Sequence, residues 1–127
     1  MNDRRNGSIR WLLSATLIAL PLISVAAEPD TCAVSANPSR FDHKRVTLEG
    51  IVTGLMKSTA RSGSKQMTFL LSSLAGCGGV IVFFQGPATL SNGDHLQVEG
   101  IFAIEHRRDG STFHNQIHAT KITVLPQ

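Results

Sequence analysis

The chain has 127 residues and a formal net charge of +3 at pH 7. This length predicts one domain and excludes a second independent hydrophobic core. Most of the excess positive charge lies in residues 1–27, and the rest of the chain carries nine basic and eight acidic residues. Because the chain after residue 27 is nearly neutral, its net charge gives no argument for nucleic-acid binding.

Residues 1–27 have the pattern of a secretory signal peptide. Three arginines precede an apolar run over residues 11–25, and the small residues Ala26 and Ala27 provide a cleavage site before Glu28. The run is shorter than the roughly 20 residues that span a bilayer, which favours cleavage; an uncleaved membrane anchor is the alternative. The pattern predicts a mature protein that begins at Glu28, is periplasmic or secreted, and keeps no stable membrane anchor.

The chain after residue 27 shows short alternating apolar patterns and no long helical period. An extended lead-in with one helical turn is predicted over residues 28–44, where Pro, Asn and Ser occur and Phe41 is the core anchor. Five strands are then predicted over residues 45–55, 67–72, 80–85, 93–105 and 113–125.

Two of these strands share an unusual sequence. Residues 46–51 and 96–101 both read apolar-x-apolar-Glu-Gly-Ile, with Gly50 and Gly100 at the same place. Glycine inside a strand is typical of a sharp bend in a closed sheet. In the fifth strand the apolar parity changes near Thr120 and Lys121, which predicts a β-bulge. These patterns predict an all-β domain, a small five-stranded Greek-key barrel over residues 45–125.

The strand sequences at residues 46–52, 90–100 and 113–122 resemble those of the OB-fold families related to the nucleic-acid-binding anticodon and helicase type. The resemblance covers roughly residues 39–125 and implies an OB-fold barrel. Its motifs are structural, consisting of valines, glycines and a Gly-Asp turn. The resemblance therefore predicts the fold and leaves the ligand open.

Two cysteines are the clearest chemical feature of the chain. Cys32 precedes the first predicted strand, and Cys77 lies in the turn between the second and third. In an antiparallel meander these places lie at the same end of the barrel, which predicts a disulfide between them. A redox pair or a pair of metal ligands is disfavoured, because the chain has no C-x-x-C spacing.

Five cations fall in two predicted loops. Lys57, Arg61 and Lys65 lie in the loop over residues 56–66, and Arg107 and Arg108 lie in the loop over residues 106–112. In OB barrels these two loops flank the usual ligand groove, so the five cations are predicted to frame an anionic partner. The alternative is that they only keep the loops hydrated.

Nucleic acid is a possible partner but not the favoured one. Beyond residue 27 the chain has neither Trp nor Tyr, so any platform for stacked bases would have to consist of Phe side chains.

A copper site built from His and Met side chains is an alternative. His114, Gln116 and His118 share one parity on the fifth strand, and Met56 and Met67 bracket one hairpin. The two histidines are four strand residues apart, some 13 Å, which is too far for one ion without a bulge between them.

The sequence contains no recognisable catalytic motif. The acidic residues are scattered, and no Gly-x-Ser-x-Gly sequence occurs. We therefore expect an exported OB-fold binding or adaptor module for an anionic ligand or a periplasmic protein, without a cofactor and without enzymatic activity. A periplasmic copper-type metal carrier and an enzyme with an unrecognised site are the alternatives.

Overall fold

The computed structural model describes residues 29–126, and the predicted signal peptide lies outside them. The described residues form the following elements: an α-helix α1 (Thr31–Ala36), a 3-10 helix (Pro38–Phe41), and strands β1 (Lys44–Thr59), β2 (Lys65–Ser72), β3 (Gly79–Gln85), β4 (His95–Arg108) and β5 (Ser111–Val124). Neither helix in this part of the chain has the length and apolar character needed to cross a membrane.

The five strands close into a barrel in the order β1-β2-β3-β5-β4. β3 and β5 pair in parallel, and the other neighbouring strands are antiparallel. β1 closes the barrel, because its first half pairs with β4 and its second half with β2. The predicted five-stranded Greek-key barrel is confirmed.

The two glycines of the shared strand sequence lie where the backbone has no room for a side chain. A Cβ at Gly100 would lie 2.7 Å from Ala119 Cα, and a Cβ at Gly50 would lie 2.9 Å from Leu71 Cγ. Next to Gly100 the pairing with β5 shifts by one residue and leaves Thr120 as the extra residue. This confirms the bulge predicted near Thr120.

The barrel interior is filled by one side chain from every second position of the strands. The largest fully buried side chains are Phe69, Phe102, Leu48, Leu71, Leu96 and Ile117. α1 adds Val34 to this core from one end of the barrel, and Val34 is fully buried. Burial of this continuous apolar cluster is the main source of stability for the domain.

The lead-in contains more helix than the one turn that was predicted there, namely α1 and the 3-10 helix between residues 31 and 41. Asp30 caps α1, because its Oδ1 accepts a hydrogen bond from Ala33 N at 2.8 Å. The helix is short and buries few apolar side chains, so it leaves no helical period in the sequence. Its position on the barrel depends instead on Val34 and on Cys32.

Cys32 and Cys77 form the predicted disulfide, with Cα atoms 5.5 Å apart. The bond joins α1 to the turn between β2 and β3. It closes a loop with a sequence separation of 45 residues, which in the chain-entropy model stabilises the domain by about 4 kcal/mol.

Both long hairpins extend further than the sequence predicted. β1 and β2 remain paired out to Thr59 and Lys65, and β4 and β5 remain paired out to Arg108 and Ser111. The second hairpin ends in the two-residue turn Asp109-Gly110, with φ angles of 49° and 79°, as in a type I′ turn. In these extensions the side chains on both faces of the strands lie outside the core. They therefore do not alternate between apolar and polar residues, and the sequence gives no strand signal there.

Candidate functional site

The β4–β5 hairpin is divided by an interruption in its pairing. The ladder of paired residues omits Ile104 and Asn115. Asn115 has a φ of 53°, in the left-handed region that Asn tolerates better than most residues. The Ile104 N–H donates to Asp42 Oδ1 at 2.8 Å. We call residues 105–114, beyond this interruption, the hairpin tip.

Arg108, in the hairpin tip, is held by four side chains. Its guanidinium carbon lies 3.7 Å from the ring centroid of Phe83 and 4.1 Å from that of Phe113. Its Nη1 lies 2.9 Å from Gln116 Oε1 and 2.6 Å from His118 Nε2. A planar guanidinium can stack on rings and donate within its own plane at the same time, which fixes its position and which a lysine ammonium could not reproduce.

Two histidines stack beside this guanidinium. The rings of His106 and His118 are 3.6 Å apart with an interplanar angle of 7°. His118 Nε2 accepts a hydrogen bond from Arg108, because arginine offers only donors. His106 Nε2 lies 3.1 Å from the carbonyl oxygen of Gln116, to which it donates. His118 is therefore a neutral imidazole with its proton on Nδ1.

Burial makes both imidazoles less basic than in water. It lowers the pKa of His118 to about 4, and the nearby His106 and Arg108 act in the same direction. Burial also lowers the pKa of His106, and the hydrogen bond to the Gln116 carbonyl offsets part of this effect. At neutral pH the cluster thus holds two neutral imidazoles and one guanidinium charge.

These contacts require the hairpin tip to bend back over the barrel. His118 lies opposite Ile101 in the ladder, whereas His106 is five positions further along β4. Five extended residues cover about 16 Å, which two imidazole side chains cannot span along a straight hairpin. The interruption at Ile104 and Asn115 lies between these positions and is where the hairpin bends.

The bent tip covers Phe83 on the outer surface of β3. Phe83 lies beside His118 in the parallel ladder and is only 7% exposed, yet it is not part of the core cluster, to which its neighbour Val82 belongs. Its burial therefore comes from its β5 neighbour His118 and from the hairpin tip, which places Arg108 over the ring. We call Phe83, His106, Arg108, Phe113, Gln116 and His118 the Arg108 cluster.

The charge of Arg108 is not neutralised by an ion pair within residues 29–126. The salt-bridge contacts between these residues join His43 to Asp42 and His95 to Glu49, and each is an ion pair only when its histidine is protonated. Nη1 of Arg108 is engaged by Gln116 and His118, while Nε and Nη2 carry three further N–H donors. A fixed guanidinium with donors to spare can bind a carboxylate or phosphate through two parallel hydrogen bonds.

The structure separates the five predicted site cations. Lys57 and Lys65 belong to β1 and β2 and line a groove of about 420 Å³ against residues 86–89. Lys57 pairs with Met67, a core side chain, so both lysines lie on the inward-facing side of their hairpin. Phe83 and Arg108 lie on the outer surface, so the two sets do not frame one groove as predicted.

The two remaining cations contact neither group. Arg61 is exposed in the turn between β1 and β2, and Arg107 is exposed beside Arg108 in β4. Strand alternation directs Arg107 away from the face that Arg108 occupies. A ligand role for Lys57, Arg61, Lys65 and Arg107 stays a prediction.

The side chains considered for a copper site are not brought together. His118 stacks on His106, whereas His114 is exposed in the hairpin tip. Met67 is buried in the core, while Met56 is 66% exposed. Between residues 29 and 126, no three His, Cys, Asp or Glu side chains are grouped so that they could hold a metal ion.

Sequence reasoning identified Arg108 but missed the side chains that hold it. Phe83 is part of a continuous apolar run over residues 80–84, which does not reveal which side chains face outward. His106 and Phe113 were assigned to a loop and to a strand, although they pair across one hairpin. The Asp109-Gly110 dipeptide between them was the available signal.

No family model and no curated protein matches the chain. Solved structures do match it. The dimeric N-terminal domain of the PriB protein from Thermoanaerobacter tencongensis is 23% identical with a TM-score of 0.53, over 65% of this chain and 97% of that one. The second OB-fold domain of replication protein A from Methanococcus maripaludis is 13% identical with a TM-score of 0.43, over 68% and 88%. With the strand order of the barrel, the first likeness confirms the predicted resemblance in fold: the chain has an OB-fold.

Proposed function

We propose that this chain is an exported OB-fold binding module that takes an anionic ligand on the outer surface of β3, with Arg108 as the main contact. The observation that carries the proposal is the fixed guanidinium of Arg108, which stacks on Phe83 and Phe113 and forms no salt bridge with a carboxylate of residues 29–126. Burial lowers the pKa of Arg108, and the neighbouring Asp109 carboxylate offsets part of this effect. Because its position is set before binding, a ligand does not have to order it.

The surroundings of Arg108 favour a carboxylate or a phosphate over a neutral ligand. Both imidazoles of the cluster are uncharged at neutral pH, so the guanidinium is the one charged group among the members of the Arg108 cluster. A partly buried charge is screened by salt less than an exposed one. Lys57, Arg61, Lys65 and Arg107 are exposed and would act on the ligand through longer-range attraction.

A binding role accounts for the cluster better than catalysis does. Its members are held by one another, and both described cysteines are joined in the disulfide. The signal-peptide pattern over residues 1–27 supports export, and the disulfide suits an oxidising compartment. Intact mass of protein recovered from a bacterial periplasm would match a chain beginning at Glu28; the mass of the full chain would contradict processing at this site.

Salt titration with two polyanion probes tests the anion site. We expect the periplasmic protein to bind fluorescent oligothymidylate or inorganic polyphosphate, and to bind it less as salt rises from ~50 to ~500 mM, because binding releases counterions. Binding of both probes indicates recognition of phosphate alone. Binding of the oligonucleotide alone indicates that its bases contribute.

Three variants assign the affinity to one surface. Arg108→Ala should weaken binding about tenfold, the effect of one charge-assisted contact. Arg107→Ala is the matched control: it removes the same charge from an exposed side chain that lies away from the cluster, so it should lower affinity much less than Arg108→Ala does. The combined Lys57, Arg61 and Lys65 replacement by Ala should flatten the salt slope. Equal affinities and slopes in wild type and all variants would contradict the anion site and direct the search to a protein partner.

A further inference from the structure

The hairpin tip covers an aromatic side chain that would otherwise be exposed on the sheet. Phe83 is 7% exposed because the tip lies on it, and the tip is joined to the barrel through strands whose pairing is interrupted at Ile104 and Asn115. In the closed position the tip lies on Phe83, and in an open position it would lie away from it. The two positions would differ in the contacts of the Arg108 cluster, while the strand pairing of the barrel would be the same in both.

One contact in this cluster depends on protonation. Arg108 Nη1 donates to His118 Nε2 at 2.6 Å, which requires an unprotonated nitrogen. If Nε2 gains a proton, two donors face each other at this distance, and an imidazolium lies beside a guanidinium. The contact must then break, since no lone pair remains to accept the hydrogen bond.

We propose that the hairpin tip is an acid-sensitive latch, in which protonation of His118 releases Arg108 and uncovers Phe83. The inference goes beyond the proposed function, because it concerns the position of the tip whether or not an anion binds there.

The groups around His118 oppose its protonation from more than one side. From β4, His106 stacks on it and Arg108 donates to it, while β3 presents the uncharged ring of Phe83. His43 and Asp42, which precede β1, act on His106 with opposite signs. Among the groups that act on His118 directly, none is a carboxylate.

The direction of the pH effect follows from these surroundings. Burial lowers the pKa of His118 to about 4 in the closed tip, whereas an exposed imidazole titrates near its ordinary value of about 6.5. The open tip therefore binds the proton more tightly. The closed state is fully favoured above about pH 6.5, and its ratio to the open state falls by up to tenfold per pH unit between about 6.5 and 4.

Ligand-free NMR tests the latch separately from anion binding. We expect the amide signals of residues 105–114 to change between pH 7 and 4, together with the His118 ring signal. Signals of the β1–β2 hairpin and of core amides should stay in place and report that the barrel is folded. A tip whose signals do not move while His118 titrates in the folded barrel would overturn the proposal.

Two variants separate the latch from general acid effects. His118→Gln keeps an acceptor for Arg108 and cannot be protonated, so it should lose the change in tip signals that follows the His118 ring signal in the wild type. His114→Gln removes an exposed histidine of the same strand that is not a member of the Arg108 cluster, so its tip signals should still change together with the His118 ring signal. Equal pH dependence in His118→Gln and wild type would overturn the proposal. If His118→Gln does not fold, the His118 ring titration of the wild type still decides it.

Discussion

The β1–β2 and β4–β5 hairpins both extend beyond the barrel and both carry cations, but only the second bends back onto the sheet. In the first, Lys57 and Lys65 stay exposed along a groove, and Met56 is exposed as well. In the second, Arg108 lies between two phenylalanine rings. Basic residues in a strand extension therefore do not define a binding site by themselves. An aromatic side chain on the neighbouring strand and acceptors in the guanidinium plane are also needed.

The largest expected effect on the free energy of unfolding comes from a comparison of two glycines, Gly100 in β4 and Gly54 in β1. Gly100→Ala places a Cβ against the backbone of His118 and Ala119, which cannot yield without moving β5. We expect this change to lower the free energy of unfolding by about 3 kcal/mol. Gly54, at the bulge of β1, has a φ of 63° and open space around it, so Gly54→Ala should cost only about 1 kcal/mol.

Urea unfolding of the two glycine variants measures this contrast. Similar losses in both would mean that β4 and β5 adapt at Gly100, and that the tight approach of the backbones there is not a constraint on the fold.

The next largest expected effect on stability distinguishes the packed cation Arg108 from the exposed cation Lys57. Arg108→Ala removes a guanidinium from two aromatic faces and leaves Phe83 partly uncovered, so we expect a loss of about 1–2 kcal/mol in the free energy of unfolding. Lys57→Ala, in the exposed hairpin, should change it by less than about 0.5 kcal/mol. Thermal unfolding at neutral pH distinguishes the two.

Arg108→Lys shows which property of the side chain matters. It keeps the charge but cannot stack and donate in one plane, so it should lose nearly as much stability as the alanine variant. Full stability in the lysine variant would mean that charge, and not planar packing, holds the hairpin tip.

The smallest expected effect is at the interruption of the second hairpin. Asn115 has a φ of 53°, and alanine in this left-handed region costs about 1 kcal/mol. Glycine has no such cost, so Asn115→Gly should unfold with nearly the wild-type free energy. Equal stability of the alanine and glycine variants, measured by urea unfolding, would show that the bend does not depend on this backbone conformation.

Much of the barrel could be predicted because its signals are local. The repeated Glu-Gly-Ile sequence marked the two strands that lack room for a side chain at Gly50 and Gly100. The parity change in β5 marked the bulge at Thr120. The disulfide followed from the positions of Cys32 and Cys77 relative to the strands.

The Arg108 cluster could not be predicted, because its contacts depend on how far a hairpin bends. Parity along β5 groups His118 with His114, yet the bend places His118 against His106 on the other strand. Likewise, the lysines were assigned to a loop because exposed strand extensions have no apolar alternation. Only the Asp109-Gly110 turn signals a longer second hairpin.

Closure of the barrel also bears on how fast the chain can fold. β1 takes part in two ladders, and its pairing with β4 joins Val46 to Gly100. The parallel pairing of β3 with β5 likewise forms only after the last strand of the barrel has been added. Contacts between residues so distant in sequence impose a large loop-closure entropy before they contribute stability. We therefore expect folding on the millisecond-to-second scale typical of small all-β barrels, and not the microsecond scale of helical bundles.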